Sequence, residues 1–252
     1  GWTLSSHFSA IAADPVQRES FIDSCVDFML AYGFDGIDVD WEYPVGGGLY
    51  PGVPEDKENY TLLLSEFRTR LDQIGSDYLL TIAAPAGATT IPNMDIPNLA
   101  EHLDWINVMT YDFHGPWEAT TNHHSPMYSN SAQPDENTVE TAIQTYLDSG
   151  VPPEKLILGV PFYGKTWSGV TGGSGLFEAA SDIGPGNYEA GTMDYHHIVD
   201  VYLSNSSFTR YWDSEAQVPY LHSETEGIFI SYEDPESLEV KMDFILEKGL
   251  GG

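Results

Sequence analysis

Three carboxylates occur at every second position of one short segment. Asp38, Asp40 and Glu42 belong to the run Asp-Gly-Ile-Asp-Val-Asp-Trp-Glu-Tyr-Pro at residues 35–44. Because alternate residues of a β-strand share a face, the three carboxylates line one side, with neighbours roughly 6–7 Å apart. Where water is excluded they cannot all ionise, so one of them holds a proton and its pKa rises. A carboxyl with a raised pKa is what a general acid requires near neutral pH.

Two non-catalytic interpretations of these carboxylates are weaker. A solvated strand face is disfavoured because the opposite face is apolar and bulky, formed by Ile37, Val39 and Trp41. A calcium or magnesium site stays open as an alternative, although the sequence has no glycine-bearing calcium loop of the usual spacing. The histidines at 123–124 and 196–197 are adjacent pairs, which lack the spacing that zinc sites favour. We therefore expect catalysis, with no metal and no cofactor.

A second candidate element lies at the end of a short apolar run, residues 105–111. Alternation places Met109 and Tyr111 on one face, and a tyrosine hydroxyl can donate a hydrogen bond to a carbonyl oxygen in a transition state. Plain core packing explains such a pair equally well when it is considered alone. The polar residues that follow, Asp112 and His114, favour a site at the strand end.

Composition excludes several classes of function. The 252 residues contain 9 Lys and Arg against 39 Asp and Glu, a formal charge of −30, which excludes binding that depends on neutralising nucleic-acid phosphates. No apolar run approaches the roughly 18 residues of a membrane span. The single cysteine, Cys25, excludes an internal disulfide, and it shares a helical stripe with Phe21 and Met29, which predicts a packed core thiol. The acidity favours solubility in salty surroundings over attraction of a cationic ligand.

Helices and buried strands alternate along the first two thirds of the chain. The first long helix is predicted from the Asp14-Pro15 cap to Gly33, and further helices at about 58–74, 96–102 and 138–148. Apolar strands are predicted to begin near Ile37, Leu79, Trp105 and Leu156. This order is typical of a parallel sheet covered by helices. Four strands fall short of a closed eight-stranded barrel, so spacing alone leaves open both a doubly wound sheet and part of a barrel.

The alternation of helices and buried strands stops at residues 168–234. A Gly- and Ser-rich stretch there precedes short aromatic strands near 208–213, 218–222 and 227–232, and a last helix is predicted from Asp234-Pro235 to Gly249. We therefore expect two parts, a catalytic α/β part formed by residues 1–167 and 235–252, and a small α+β insertion formed by residues 168–234.

The carboxylate segment resembles the D-x-x-D-x-D-x-E signature of family 18 glycoside hydrolases, the chitinases and their relatives. The resemblance continues at 79–87, at Met-Thr-Tyr-Asp (109–112) and at Leu-Gly-Val-Pro-Phe-Tyr-Gly (158–164), which are similar to barrel strands five, six and seven. Residues 1–5 look like the end of strand three and its loop, and residues 168–234 resemble the α+β insertion domain of the bacterial processive-type chitinases. The resemblance implies a (β/α)8 TIM-barrel fold that is incomplete in this sequence, because strands one, two, most of three and all of eight are not found.

The resemblance also implies a reaction, retaining hydrolysis of β-1,4-linked N-acetylglucosamine polymers in which the substrate's own acetamido group is the nucleophile. Glu42 would protonate the glycosidic oxygen and later activate water. Asp40 would bind the acetamido N–H, and Asp38 would share a proton with Asp40 and orient it. Tyr111 would donate to the acetamido carbonyl oxygen.

Substrate contacts follow from the same resemblance. Asp112 would bind sugar hydroxyls or the acetyl group, while Met109 and Tyr163 would line the site. Trp2 and Trp117, both just past predicted strand ends, would stack on sugar rings, although each alone could also be a packing residue. The expected partner is chitin or its oligosaccharides, with no nucleic acid or membrane, and the protein is expected to be an extracellular monomer.

Two rival functions use the same signature. An endo-β-N-acetylglucosaminidase acting on N-linked glycan cores has the same row of carboxylates (Asp38, Asp40 and Glu42, here called the acidic ladder). The insertion and the aromatic residues suit a linear polymer better. A chitin-oligosaccharide-binding lectin usually lacks the terminal acid, which Glu42 supplies here. Lys165 stands where many relatives carry arginine, which weakens bidentate recognition at that position.

Overall fold

The computed structural model describes residues 1–75 and 77–252. The chain divides into two compact units. The parallel-sheet unit contains Gly1–Met109, Ile143–Leu158 and Lys248–Gly252, and the antiparallel-sheet unit contains Thr110–Ala142 and Gly159–Glu247.

Four parallel strands form the sheet of the first unit. They are β1 (Gly36–Val39), β2 (Leu79–Ala84), β3 (Trp105–Val108) and β4 (Leu156–Leu158), hydrogen-bonded in that order. Within the described residues this sheet is open, and β1 and β4 are its edges. The four strands predicted from apolar runs are thereby confirmed. The register aligns Asp38 with Thr81 and Thr81 with Trp105, which places the polar side chains of Asp38 and Thr81 side by side.

Helices cover the apolar face of the parallel sheet. They are α1 (Phe8–Ala13), α2 (Pro15–Tyr32), α3 (Asp56–Ile74) and α4 (Ile96–His102). Both ends of α2 are where the sequence predicts them: the Asp14 carboxylate accepts the N–H groups of Val16 and Gln17 at 2.9 and 3.0 Å, and Gly33 ends the helix at φ 72°. Cys25 is only half-buried, so the prediction of a core thiol is met in part, and burial raises its pKa.

The core of this unit lies between α3 and the sheet. Its fully buried side chains are Leu63, Leu64, Phe67, Leu71, Leu80 and Ile82. Each such side chain stabilises the fold by about 1.5–3 kcal/mol relative to an exposed one. This packing holds β2 against α3. Because β1 is hydrogen-bonded to β2, it also fixes the strand whose end carries the acidic residues.

The first residues of the chain form a turn that leads into helix. Residues 2–4 form the turn, Ser5–His7 a 3-10 helix, and α1 follows directly. Leu4 N–H and the Ser5 hydroxyl both bond back to the carbonyl of Gly1, at 3.1 and 2.8 Å, and close this turn. A turn is compatible with the loop expected after strand three, while the strand end itself stays a prediction.

Six strands form the sheet of the second unit. They are β5 (Tyr163–Ser168), β6 (Asp182–Ile183), β7 (Thr192–Asp194), β8 (Thr209–Asp213), β9 (Val218–Ser223) and β10 (Ile228–Ser231), in the order β6-β5-β10-β9-β8, with β7 also paired to β5. All pairings are antiparallel. The predicted strands near 208–213, 218–222 and 227–232 are confirmed.

The remaining α-helices are α5 (Val139–Asp148), α6 (Tyr195–His197) with the π-helix Ile198–Leu203, and α7 (Pro235–Lys248), and short 3-10 helices span Ile91–Asn93 and Pro153–Lys155. The strand predicted to begin near Leu156 ends at Leu158, and β5, which begins at Tyr163, belongs to the other sheet. The predicted domain boundary at residue 168 stays a prediction. Trp167 and Tyr220 belong to a buried cluster with Val170 and Phe229, so both are packing residues.

None of the helices in the described part of the chain combines the length and the apolar character that a bilayer crossing requires.

Candidate active site

The three carboxylates lie at the carboxyl end of β1. Val39 and Trp41 are buried, and the Trp41 ring stacks on Phe8 at 5.4 Å and meets the edge of Tyr60 at 5.2 Å. This packing turns Asp38, Asp40 and Glu42 to the opposite face, as the alternation predicts. Since β1 ends at Val39, Asp40 and Glu42 lie just past the strand, the position of catalytic groups in parallel α/β enzymes.

Asp38 is held by its neighbours on the parallel sheet. Thr81 Oγ1 donates to Asp38 Oδ1 at 2.5 Å, and Asn107 Nδ2 donates to the same oxygen at 3.1 Å. Trp105 Nε1 in turn donates to Asn107 Oδ1 at 3.1 Å and orients the amide. Asp38 is nevertheless exposed, because β1 is an edge of the described sheet.

Thr81 and Asn107 were not identified from the sequence. Both are polar positions within otherwise apolar strands, which is a usable signal. Assigning them to Asp38 requires the register of three strands, which the sequence does not contain.

Glu42 has the properties of a general acid. The side chain is half-buried, and burial followed by the charge of Asp40 raises its pKa, against the opposing effect of a hydrogen bond with Tyr43. The main chain at this point is fixed by Ser5 Oγ, which accepts the Glu42 N–H at 3.0 Å. A carboxyl with a raised pKa stays protonated at pH values where an ordinary glutamate is ionised.

Asp40 carries a buried acceptor atom. Its Oδ1 has no hydrogen-bond partner among the described residues. Buried polar atoms in native structures are nearly always satisfied, so this carboxylate oxygen can accept a hydrogen bond from a ligand. An amide N–H of a ligand is a suitable donor.

The loop after Glu42 is held by Asp56. This fully buried carboxylate accepts the N–H groups of Val45 at 3.2 Å and Val53 at 2.9 Å, and the hydroxyl of Ser9 at 2.7 Å. Gly48 allows the loop to fold back, because a Cβ there would lie 2.2 Å from the carbonyl oxygen of Glu42. The loop therefore fixes the main chain beside Glu42.

We expect Asp56→Ala to lower the stability of the protein by about 2–4 kcal/mol, because it leaves two backbone donors and a hydroxyl without their acceptor. Thermal unfolding followed by circular dichroism measures the change, expected as a fall in the midpoint of several degrees. Asp27→Ala, at an exposed position of α2, is the matched control. A midpoint equal to that of the control would show that Asp56 does not hold the loop.

Asp112 is the charged centre of the second unit. The backbone there is left-handed, with φ 57°, a conformation that aspartate tolerates better than most residues. Lys165 Nζ lies 3.4 Å and His124 Nδ1 3.9 Å from Asp112 Oδ1. Burial opposes ionisation of Asp112, but its interactions with His124 and with the charge of Lys165 outweigh that effect and lower its pKa. This carboxylate therefore remains charged in acid solution.

Aromatic rings surround the same lysine. Lys165 Nζ lies 5.1 Å from the centre of the Tyr163 ring and 5.6 Å from that of Trp117. Tyr111 meets Tyr163 edge to face at 6.2 Å. The structure thus brings four predicted site residues of this unit together around Lys165. They are Tyr111, Asp112, Trp117 and Tyr163. The sequence analysis noted Lys165 only because many relatives carry arginine at that position.

Comparison with known proteins decides the family. The model of the glycosyl hydrolases family 18 matches residues 1–252. Chitinase A1 of Niallia circulans is 46 % identical over 267 residues, which cover 100 % of this chain and 38 % of that protein. The chain belongs to glycoside hydrolase family 18.

Solved family 18 structures show the same fold. Chitinase ChiA74 from Bacillus thuringiensis superposes with a TM-score of 0.92 at 42 % identity, over 100 % of this chain and 44 % of that one. A mutant of the Group II chitinase catalytic domain 2 of Ostrinia furnacalis, in complex with penta-N-acetylchitooctaose, (NAG)5, gives 0.91 at 29 % identity, over 100 % and 67 %. The α/β fold of TIM-barrel type predicted from the sequence is confirmed. The chain spans less than half the length of Chitinase A1 and of ChiA74.

Trp117 is 61 % exposed, so its ring lies at the surface and is not a packing residue. Its loop is fastened by His114, whose two ring nitrogens lie 2.9 Å from Glu118 Oε2 and 2.8 Å from Glu136 Oε2. Gly115 lies under the ring, because a Cβ there would be 2.2 Å from it. These contacts hold the indole face open to solvent.

Two predicted contact residues lie in the parallel-sheet unit. Trp2 is 47 % exposed in the first turn. Met109 is half-buried directly after β3, and its N–H donates to Ala84 O at 2.9 Å. Their contacts with substrate stay predictions.

Within residues 1–75 and 77–252, no group of three or more His, Cys, Asp or Glu side chains is arranged to hold a metal ion. His123 contacts Asp213, with Nε2 and Oδ2 3.0 Å apart. The expectation that this protein needs no metal stays a prediction.

Proposed function

We propose that this protein is a chitinase that hydrolyses β-1,4-linked N-acetylglucosamine polymers with retention of configuration. The observation that carries the proposal is the pair Asp40 and Glu42: a carboxyl with a raised pKa beside a carboxylate whose buried oxygen has no partner among the described residues. The relatives at 46 % and 42 % identity are chitinases, which supports the same substrate class.

The proposed first step uses the substrate's acetamido group as nucleophile. Glu42 donates its proton to the glycosidic oxygen, the acetamido carbonyl oxygen bonds to the anomeric carbon, and the bond to the leaving sugar breaks. Asp40 accepts the acetamido N–H, which aligns the carbonyl oxygen and stabilises the oxazolinium ion. Asp38, oriented by Thr81 and Asn107, holds Asp40 in the required protonation state.

The proposed second step returns the enzyme to its starting state. The ionised Glu42 takes a proton from water, and the water oxygen bonds to the anomeric carbon from the face that the leaving sugar vacated. The bond from the acetamido oxygen breaks, which regenerates the N-acetyl group. Two inversions at one carbon give overall retention.

The residues of the second unit are proposed to bind the sugar. Tyr111 donates from its hydroxyl to the acetamido carbonyl oxygen, and Asp112, ionised beside Lys165, accepts from sugar hydroxyls. Trp117 and Trp2 offer exposed indole faces that stack on sugar rings, while Met109 and Tyr163 line the binding site with apolar surface. The occupant of the Ostrinia structure, (NAG)5, is a ligand of this class. We propose further that the protein acts outside the cell as a monomer.

Mass spectrometry of a chitin hexamer incubated with the protein tests this function. Shorter N-acetylglucosamine oligomers are expected, with the β-anomer formed first by proton NMR. An N-glycan substrate run in parallel distinguishes the endo-β-N-acetylglucosaminidase, which would release the glycan and leave the hexamer intact. Binding of the hexamer without any product would instead identify an oligosaccharide-binding protein.

A further inference from the structure

Two adjacent histidines, which the proposed mechanism does not use, point to different partners. His123, 2 % exposed, lies with Nε2 3.0 Å from Oδ2 of Asp213. Burial opposes ionisation of Asp213, but the hydrogen bonds from His123 and from the Ala216 N–H lower its pKa to about 2. His123 is therefore a structural residue that ties its segment to the end of β8. His124 is turned to Asp112 instead.

The backbone of His124 is fixed on both sides. Its N–H donates to Ser231 Oγ at 2.9 Å, and its carbonyl accepts the Phe113 N–H at 3.0 Å. The ring is fully buried and lies 5.5 Å from the Tyr163 ring. The side chain therefore has little freedom to turn away from Asp112.

The ring nitrogens of His124 have no other use within the part of the chain that the structure describes. Neither has a hydrogen-bond partner at ordinary length, and Asp112 Oδ1, 3.9 Å from Nδ1, is the carboxylate that faces it. Leaving a buried imidazole in this state costs free energy. Such an exception to polar satisfaction is expected where the group serves the site.

We propose that His124 is a positioning residue that orients the Asp112 carboxylate. The inference rests on the proposed function, in which the Asp112 carboxylate binds the sugar. His124 acts through Asp112 and does not itself contact the substrate.

The charges around His124 support this role. Burial lowers the pKa of His124, the facing carboxylates Asp112 and Glu233 raise it, and Lys241 lowers it further, with a net lowering. Glu233 and Lys241 are themselves a buried pair, with Nζ and Oε1 2.6 Å apart, and Lys165 contacts Asp112. The imidazole is therefore uncharged near neutral pH, and Nδ1 is the ring nitrogen that lies toward Asp112.

Removing His124 leaves Asp112 with Lys165 as its cationic partner. Because burial opposes ionisation of Asp112 and His124 is the first of the groups that offset it, the pKa of Asp112 rises in the variant. The carboxylate then takes up a proton at a higher pH. The acid limb of kcat/KM is expected to move to higher pH, whereas activity well above that limb changes little.

The test compares His124→Gln and His124→Leu with the parent protein, using chitin hexamer and following kcat and KM against pH. We expect the acid limb to move up by about one pH unit in the leucine variant, and by less in the glutamine variant, which retains a donor. His196→Gln, the same substitution at an exposed histidine of the other adjacent pair, is expected to leave the limb in place. An unchanged limb in the folded glutamine variant overturns the proposal.

A binding measurement separates this inference from the proposed function. In a Glu42→Gln background, calorimetric titration with chitin hexamer is expected to show affinity falling at a higher pH when His124 is also glutamine. If the parent protein cleaves no chitin, the proposed function is wrong, and the pH dependence of binding still decides the role of His124. Identical pH dependence with and without His124 overturns that role.

Discussion

Glu42→Gln is expected to lower kcat on chitin oligosaccharides by about 10²–10⁴-fold, the range for loss of a general acid–base group. Glutamine has nearly the same shape and keeps the hydrogen-bonding capacity of the side chain, but it has no proton to give to the glycosidic oxygen. Because the substituted atom carries the reaction and contributes little to ground-state binding, the dissociation constant for the hexamer should stay within a few-fold of the parent value. Single-turnover kinetics and calorimetry measure the two quantities separately.

The control for this experiment is Glu58→Gln, on an exposed position of α3. It makes the same substitution outside the site and is expected to leave kcat unchanged. Turnover by Glu42→Gln at the parent rate would remove Glu42 from its role. Loss of binding together with turnover would indicate that the side chain holds the substrate rather than protonating it.

Asp40→Asn is expected to reduce kcat by about 10²–10³-fold, comparable to the loss of one preorganised group that stabilises transition-state charge. The buried oxygen of Asp40 that has no partner among the described residues is the atom proposed to accept the acetamido N–H. The amide loses the negative charge that stabilises the oxazolinium ion, and in one of its two orientations presents N–H groups to the ligand's own N–H.

The same substitution has a second signature in the pH profile. The charge of Asp40 raises the pKa of Glu42, so removing that charge lowers it. A general acid must be protonated to act, so the basic limb of the pH profile follows the pKa of Glu42. As the pH rises, Asp40→Asn should therefore lose its residual activity at a lower pH than the parent protein loses its activity. Asp35→Asn, at an exposed position before β1, should leave both kcat and the basic limb unchanged. An unmoved basic limb in Asp40→Asn would show that the two carboxylates are not coupled.

Much of the fold follows from local signals in the sequence. The limits of α2 are predictable because Asp14 caps its first turn and Gly33 takes the left-handed conformation that ends it, and both effects act within four residues. The separation of Val39 and Trp41 from the acidic residues is predictable because alternation is a property of a single strand. The spacing of Asp38, Asp40 and Glu42 therefore identifies the candidate acid before any tertiary contact is known.

Contacts between distant segments could not be derived in this way. Thr81 and Asn107 are 43 and 69 residues from Asp38 along the chain, and only the pairing of β1, β2 and β3 joins them. The exposure of Asp38 depends likewise on β1 being an edge of the described sheet. A one-residue change of register would turn these side chains to the other face, and residue spacing within one strand does not specify which register is adopted.

The sequence by itself determined the acidic ladder, the helix limits and the family, because each is encoded in residues close together in the chain. Tertiary structure alone decided which groups surround Asp112, since Lys165 comes from β5 and His124 from a loop whose N–H is held by Ser231. It also decided the pKa directions of Glu42 and Asp112, which depend on burial and on charges at a few ångströms. Those quantities are set by distance in space, which packing and strand register fix and which residue order does not.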